Sequence, residues 1–478
     1  MDFNCLIYHC LRRPDLRPYP GVAGQAEWEA EFLQAIVAYT KRVVKIVQPS
    51  KGVYIAIDGV VPMAKMKQQR LRRFKSVWLA DHGLAEGHEA GRERWDTNAI
   101  TPGTLFMGRL RRTLEAQKGW IVSSSDEPGE GEHKIMERLR GLAGGGSGRH
   151  AVYGLDADLV VLSLLTQQTL GPGHNLWLFR EEMMDGSMRR DATGEELFEW
   201  CSIDVLRDIL AAQVSIPDYC FAMSFLGNDF LPSSLGLKMR EDGHDVLLDM
   251  LGDMKRRGIS LLDERGEIRQ EGLQHLFVSL SSHEEVRTQA FIAKKMRQGA
   301  EHVDLAIGDP NWALSQQAEA CLLERGGRLA PGWKARYRQA FLGSASTQET
   351  CDAYLRGLQW IWAYYRGKTA EVCFNWYYPW NVPPLWSELW GACLKGLDKT
   401  LTIAVRKEDI APTEQLSLVL PPASWDLIPD ARTRRLLERA PWLFPTEFGF
   451  ESVGKRWFWE CEADIPIPSI LEVKKILA

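Results

Sequence analysis

Apolar runs that stop in acid recur through the first half of the chain. Val53 to Ile57 (VYIAI) reads as a buried strand closed by Asp58-Gly59. Trp120 to Val122 is a second run and leads into SSSDEPGEGEHK. Ala151 to Leu155 (AVYGL) leads into Asp156-Ala157-Asp158 and then a further apolar run, LVVLSLL. Asn175 to Phe179 (NLWLF) ends at Arg180, Glu181 and Glu182. Helical patterns lie between these runs. Thr101 is placed to cap one helix and Pro102 suits its first position, with LFMGRLRRTLEAQ as its body. In an open parallel sheet, ligand sites gather at the carboxyl ends of strands. The pattern predicts an α/β fold, a mostly parallel central sheet flanked by helices, with an acidic site along one sheet edge.

AGGGSGR at 143–149 is a flexible connector, too short to part domains. Beyond residue 245 the pattern turns helical and charged, and beyond 370 it becomes rich in proline and tryptophan. This divides the chain into residues 1–245, carrying the site, a mainly helical 246–370, and 371–478, which packs back on the site. The second half is expected to wrap around the first.

Seven carboxylates stand at turns or strand ends: Asp2, Asp58, Glu130, Glu132, Asp156, Asp158 and Asp229. Glu130 and Glu132 flank Gly131 in PGEGEHK, and Asp156 and Asp158 have the same spacing in GLDADL. In extended chain, residues two apart point to one side. Carboxylates brought together repel, and hard divalent cations relieve that repulsion through all-oxygen coordination. Two such ions can activate water and stabilise a leaving oxygen in phosphodiester cleavage.

A second cluster has the opposite sign. MAKMKQQRLRRFKS, from Met63 to Ser76, holds Lys65, Lys67, Arg70, Arg72, Arg73 and Lys75 with no acid among them. Lys65, Gln69, Arg72 and Arg73 share one helical face, and Leu71, Phe74 and Trp78 form an apolar stripe that anchors the helix. Such a face, close behind Asp58, suits a terminal phosphate.

Bulk composition narrows the setting. The 478 residues are 45% hydrophobic and 25% charged, as in a soluble globular protein, with a net charge of -5. A local basic patch is enough for a nucleic-acid binder. Nine cysteines without a CxxC pair argue against a zinc site and for reduced thiols, hence an intracellular chain, cytoplasmic or nuclear. No apolar run approaches the roughly 18 residues of a membrane helix. The first residues, MDFNCLIYHCLRRPD, are too polar for a signal peptide.

Taken together, IAIDGVVPMAKMKQQRLRRFKS, TNAITPGTLFM, SDEPGEGEHKIM, YGLDADLVVLSLL, LFREE and FLGNDFLP resemble the XRN family of 5′→3′ exoribonucleases. So do the later GLQWIWAYYRG, FNWYYPWNVPPLWSEL, EQLSLVLPPAS and PTEFGFESVGKRWFWE. The resemblance implies a PIN/FEN-like nuclease core that degrades single-stranded, 5′-monophosphorylated RNA processively, as a monomer, releasing mononucleotides. It implies that Asp2, Asp58, Glu130, Glu132, Asp156, Asp158 and Asp229 hold two magnesium ions, with manganese able to substitute. Lys65, Gln69, Arg72 and Arg73 would grip the 5′-phosphate. Tyr8 and Trp376, with Phe374 as a substitute for the latter, would stack the first bases.

Three departures from the family pattern bear on that reading. Asp2 follows Met1 directly, so the first strand is expected to be absent. Tyr8 stands where the family usually has histidine. The long C-terminal extension of cytoplasmic members is not expected. Two alternatives follow: a catalytically weakened RNA-binding homologue, or a flap or PIN-like DNA nuclease, which would not need the phosphate-gripping stripe.

Overall fold

The structure, a computed structural model, describes residues 1–85, 93–184, 187–396 and 403–478. Five strands build the core of the first half. β1 (Val53–Ala56) runs parallel to β2 (Trp120–Ser123). β3 (Gly148–Tyr153) runs parallel to β4 (His174–Glu181), and β5 (Phe198–Ser202) lies antiparallel on the far side of β4. The first three residues join the two groups. The Ala56 N–H donates to the Met1 carbonyl at 3.0 Å, and the Phe3 N–H donates back to the Ala56 carbonyl at 3.0 Å. The Asp2 N–H donates to the Tyr153 carbonyl at 2.8 Å.

This overturns the expected loss of the first strand. Residues 1–3 pair with β1 as a parallel bridge at Asp2–Ala56 and reach β3 on the other side. The spatial order is therefore β2, β1, residues 1–3, β3, β4, β5, with β1 parallel to β2 and to residues 1–3, β3 parallel to β4, and β5 antiparallel to β4. Three residues suffice because every N–H and C=O they offer to the sheet finds a partner.

Helices cover the sheet: α1 (Asn4–Leu11), α2 (Gln25–Val47), α3 (Met63–Asp81), α4 (Leu105–Glu115), α5 (Gly131–Arg140) and α6 (Asp158–Leu170). The apolar run LVVLSLL lies inside α6, which is buried on almost every side. The capping expectation at Thr101 is corrected: Thr104 caps α4 by accepting from the Met107 N–H, while the Thr101 hydroxyl donates to the Asn98 carbonyl at 2.6 Å. Pro102 therefore lies in the turn before the helix.

The second half contributes α7 (Gln270–Gly299), α8 (Thr347–Tyr365), α9 (Trp386–Leu394) and α10 (Pro412–Val419). α7 packs on α9, and α10 lies along α3. The largest hydrophobic core runs from Ala56 to Val473, so both halves of the chain bury apolar surface in it. A second core, from Phe3 to Phe179, sits under α1, α2 and α4. Among the described residues, no single helix is long and apolar enough to cross a membrane.

Candidate active site

Six of the seven acids are delivered by a strand, its end or the start of a helix. Asp2 sits in the bridge between β1 and β3, and Asp58 lies two residues past β1. Glu130 and Glu132 open α5, whose N-terminal dipole favours negative charge. Asp156 follows β3 and Asp158 begins α6. Asp229 comes from the loop after a short 3-10 turn at Met223–Leu226.

Close backbone approach makes this possible. A Cβ on Gly131 would lie 2.8 Å from Asp2 Oδ1 and 2.9 Å from the Ala56 carbonyl oxygen. A Cβ on Gly154 would meet Asp2 Cβ at 3.2 Å. Glycine at both places lets α5 and the β3 exit close on the Asp2 carboxylate. The Gly131 N–H also donates to Asp58 Oδ1 at 2.7 Å, and Asn4 Nδ2 donates to Asp58 Oδ2 at 2.8 Å.

The seven acids form one electrostatic group. Burial, then Asp58 and Asp156, push the Asp2 carboxyl up to about 8. Burial, then Asp156 and Asp229, push Asp158 up to about 7. Burial and Glu130 push Glu132 well above the usual range, with Asp156 and Asp158 adding to the effect. Glu130 is also raised, by burial first, although Lys65 pulls the other way. Lys65 Nζ lies 2.7 Å from Glu130 Oε2 and 2.6 Å from Asp229 Oδ2. Burial opposes its charge, but Glu130, Asp229 and Glu132 outweigh that and hold the ammonium well above the lysine range.

Several residues of the site escaped the sequence reading. The Tyr364 hydroxyl donates to Glu130 Oε1 at 2.7 Å and the Tyr365 hydroxyl to Asp158 Oδ2 at 2.8 Å, both from the last turn of α8. Gln68 Nε2 donates to Asp229 Oδ1. Asn4 orients Asp58. A usable signal existed for the tyrosines: a buried phenol requires a hydrogen-bond partner, and both lie in the otherwise apolar stretch WIWAYY.

α3 presents the basic stripe beside this group. Arg72 is exposed, Arg73 Nη1 donates to Asn98 Oδ1 at 3.0 Å, and Gln69 Oε1 accepts from Gln415 Nε2 at 3.4 Å. Burial lowers the Arg73 guanidinium, while Tyr8, Asp96 and Asp58 act in the opposite direction. The other cations of the run are used structurally. Arg70 is fully buried, donates to the carbonyls of Pro466, Leu418 and Leu443, and stacks on Phe74 and Phe444. Lys67 donates to the Tyr378 carbonyl, and Lys75 to those of Phe458 and Cys461.

The two stacking candidates lie in different surroundings. Tyr8 is half-buried against the N-terminal core. Trp376 is half-buried against the larger core, stacked on Trp360 with centroids 5.0 Å apart. Phe374 is buried and its carbonyl accepts from the Met63 N–H at the start of α3. A cleft of about 620 Å³ opens beside Asp229, lined among others by Gln68, Tyr377, Trp380 and Lys455.

The donor set fits a divalent metal. Glu130, Glu132 and His133 have ligand atoms all within 4.8 Å of one another. Carboxylate oxygens dominate, as hard cations require. Burial and mutual repulsion hold Asp2, Glu130, Glu132 and Asp158 above the usual carboxylate range, and a bound cation would relieve that repulsion.

Residues 1–182 match the family described as XRN 5'-3' exonuclease N-terminus, and residues 327–475 match the Xrn1 helical domain. Curated relatives named 5'-3' exoribonuclease 2 are similar to this chain. The protein from Eremothecium gossypii is 32% identical, over 59% of this chain and 36% of its own length. That from Saccharomyces cerevisiae is 33% identical, over 52% of this chain and 30% of its own. That from Gallus gallus is 25% identical, over 98% of this chain and 63% of its own. The chain thus spans about a third of the fungal relatives it matches. Two matched segments, one carrying six of the seven clustered acids with the basic stripe of α3 and the other the tyrosines that orient two of those acids, place this chain in the XRN family.

Proposed function

We propose that this protein is a metal-dependent 5′→3′ exoribonuclease that degrades single-stranded, 5′-monophosphorylated RNA processively and releases mononucleotides. The observation that carries the reading is the meeting of seven carboxylates, from five separate chain segments, beside the cationic face of α3. Family membership supports the same reaction.

In this reading Asp2, Asp58, Glu130, Glu132, Asp156, Asp158 and Asp229 hold two magnesium ions, with manganese as a substitute. When bound, the metal supplies Lewis acidity for attack by water and for departure of the ribose oxygen. The protein supplies position. Asn4 and the Gly131 N–H fix the Asp58 carboxylate, and Tyr364 and Tyr365 fix Glu130 and Asp158. Gln69, Arg72 and Arg73 receive the terminal phosphate, and Lys65 serves both the acids and the phosphate edge. Guanidinium forks suit the extra oxygens of a monophosphate, so a hydroxyl end loses those bonds. Tyr8 stacks the first base near Arg73, and Trp376 is the partner ring further along the strand.

The weakened-homologue alternative relied on a missing first strand, and residues 1–3 fill that position. No observation favours a DNA flap nuclease. The deciding experiment uses 3′-labelled single-stranded RNA bearing 5′-monophosphate, 5′-triphosphate or 5′-hydroxyl, with magnesium or with chelator. Magnesium-dependent loss of the monophosphate substrate alone, without internal cuts, is expected. Internal cleavage, or equal loss of all three, would sink the proposal.

A further inference from the structure

One buried group in the acid site has no role in the carboxylate reading. His133 stands in the first turn of α5, next to Glu132, and is only 7% exposed. Among the described residues, neither Nδ1 nor Nε2 has a hydrogen-bond partner. A ring nitrogen lies within 4.8 Å of carboxylate oxygens of both Glu130 and Glu132. The ring packs on Tyr364, with centroids 3.9 Å apart and planes at 31°, and that same tyrosine donates to Glu130. Buried imidazoles normally find a partner for at least one nitrogen. If His133 served packing alone, a phenylalanine would meet every requirement, and no polar atom would need to be buried beside two carboxylates.

We propose that His133 is a nitrogen ligand of this metal centre, binding the ion shared by Glu130 and Glu132. The inference rests on the reading of the acid cluster as a metal site. An imidazole among carboxylates moves the preference of a site away from magnesium and toward transition ions such as manganese. The centre would then take up manganese more tightly than an all-oxygen set of the same charge. Tyr364 acts here as a positioning residue: its ring holds the imidazole plane while its hydroxyl holds Glu130.

The test uses the full chain with manganese alone. Electron spin-echo spectra of the bound ion report imidazole nitrogen directly, and calorimetry gives manganese and magnesium affinities. Wild type should show imidazole-nitrogen modulation, and His133→Phe, which keeps the packing on Tyr364, should lose it. The variant should also bind manganese about tenfold more weakly, with a smaller change for magnesium. Should the phenylalanine variant not fold, His133→Gln replaces it in the same comparison. Bound manganese without imidazole modulation in wild type, or modulation unchanged in the variant, overturns the proposal. If manganese still drives RNA degradation in that case, only the histidine's role falls. If the chain neither binds manganese nor degrades RNA with it, the metal-site reading fails and takes the ligand with it.

Discussion

Single residues carry the chemistry, and their surroundings say how they will respond to change. Asp156 is exposed, so its loss costs little packing. Asp156→Ala should cut RNA hydrolysis by more than ~100-fold, since even the outer partners of metal ligands are worth 10–100-fold. RNA binding, measured by anisotropy in chelator, should stay within a few-fold of wild type; full hydrolysis would remove Asp156 from the metal site. Gly131 behaves differently. A methyl group there collides with Asp2 Oδ1 and the Ala56 carbonyl. Gly131→Ala should destabilise the fold by about 1–3 kcal/mol through overpacking and abolish cleavage, because Asp2 and Glu130 are pushed apart. A denaturant melt alongside an activity assay separates the two effects. The acid pairs in GEGEHK and GLDADL were readable because each sits in a local turn context. Asn4, Tyr364 and Tyr365 were not, because their partners lie 54, 234 and 207 residues away in sequence.

Elements decide which cations are free. α3 reads as one unbroken basic run, and helical periodicity separated Lys65, Gln69, Arg72 and Arg73 from the rest. It could not say what the remaining cations do. Arg70, Lys67 and Lys75 each take up backbone carbonyls from Tyr378 onward, which only the tertiary fold brings near. The consequences differ by face. Arg72→Ala with Arg73→Ala should shrink the preference for monophosphate over hydroxyl ends by ~10-fold or more, given 1.5–3 kcal/mol per charged hydrogen bond. Competition between the two labelled RNAs measures it, and an unchanged ratio would move the phosphate pocket elsewhere. Arg70→Met should leave that ratio intact and lower stability by on the order of 3 kcal/mol, as buried carbonyls lose their donor. A thermal melt showing no loss would contradict the stapling role.

The whole molecule balances the repulsion gathered at its centre. Asp2 and Asp158 keep protons in the folded state, up to about 8 and about 7, that the unfolded chain has released near its ordinary carboxyl range. The folded form thus holds more protons across this window, so stability falls as pH rises from about 5 to 8. Melting temperatures in chelator should decline over that range. With magnesium the decline should flatten, because an ion that binds only the folded form stabilises it by mass action. A chelated protein whose melting point is level or rising would mean that the acids do not converge. The α/β class and the acidic sheet edge were legible from runs that end in acid. The first strand was not, since three residues are too few to show a period and owe their pairing entirely to β1 and β3.

The staple between α3 and the late chain also has a meaning in time. The carbonyls that receive Arg70 belong to residues 418, 443 and 466, and α3 ends at Asp81. At roughly 5–20 residues per second, a ribosome needs about 20–80 s to travel between them. Through that interval α3 lacks these late contacts, and the two tyrosines that orient the acids are themselves made late. Until synthesis has passed residue 466, α3 therefore lacks the last of the carbonyls that Arg70 holds in the finished protein.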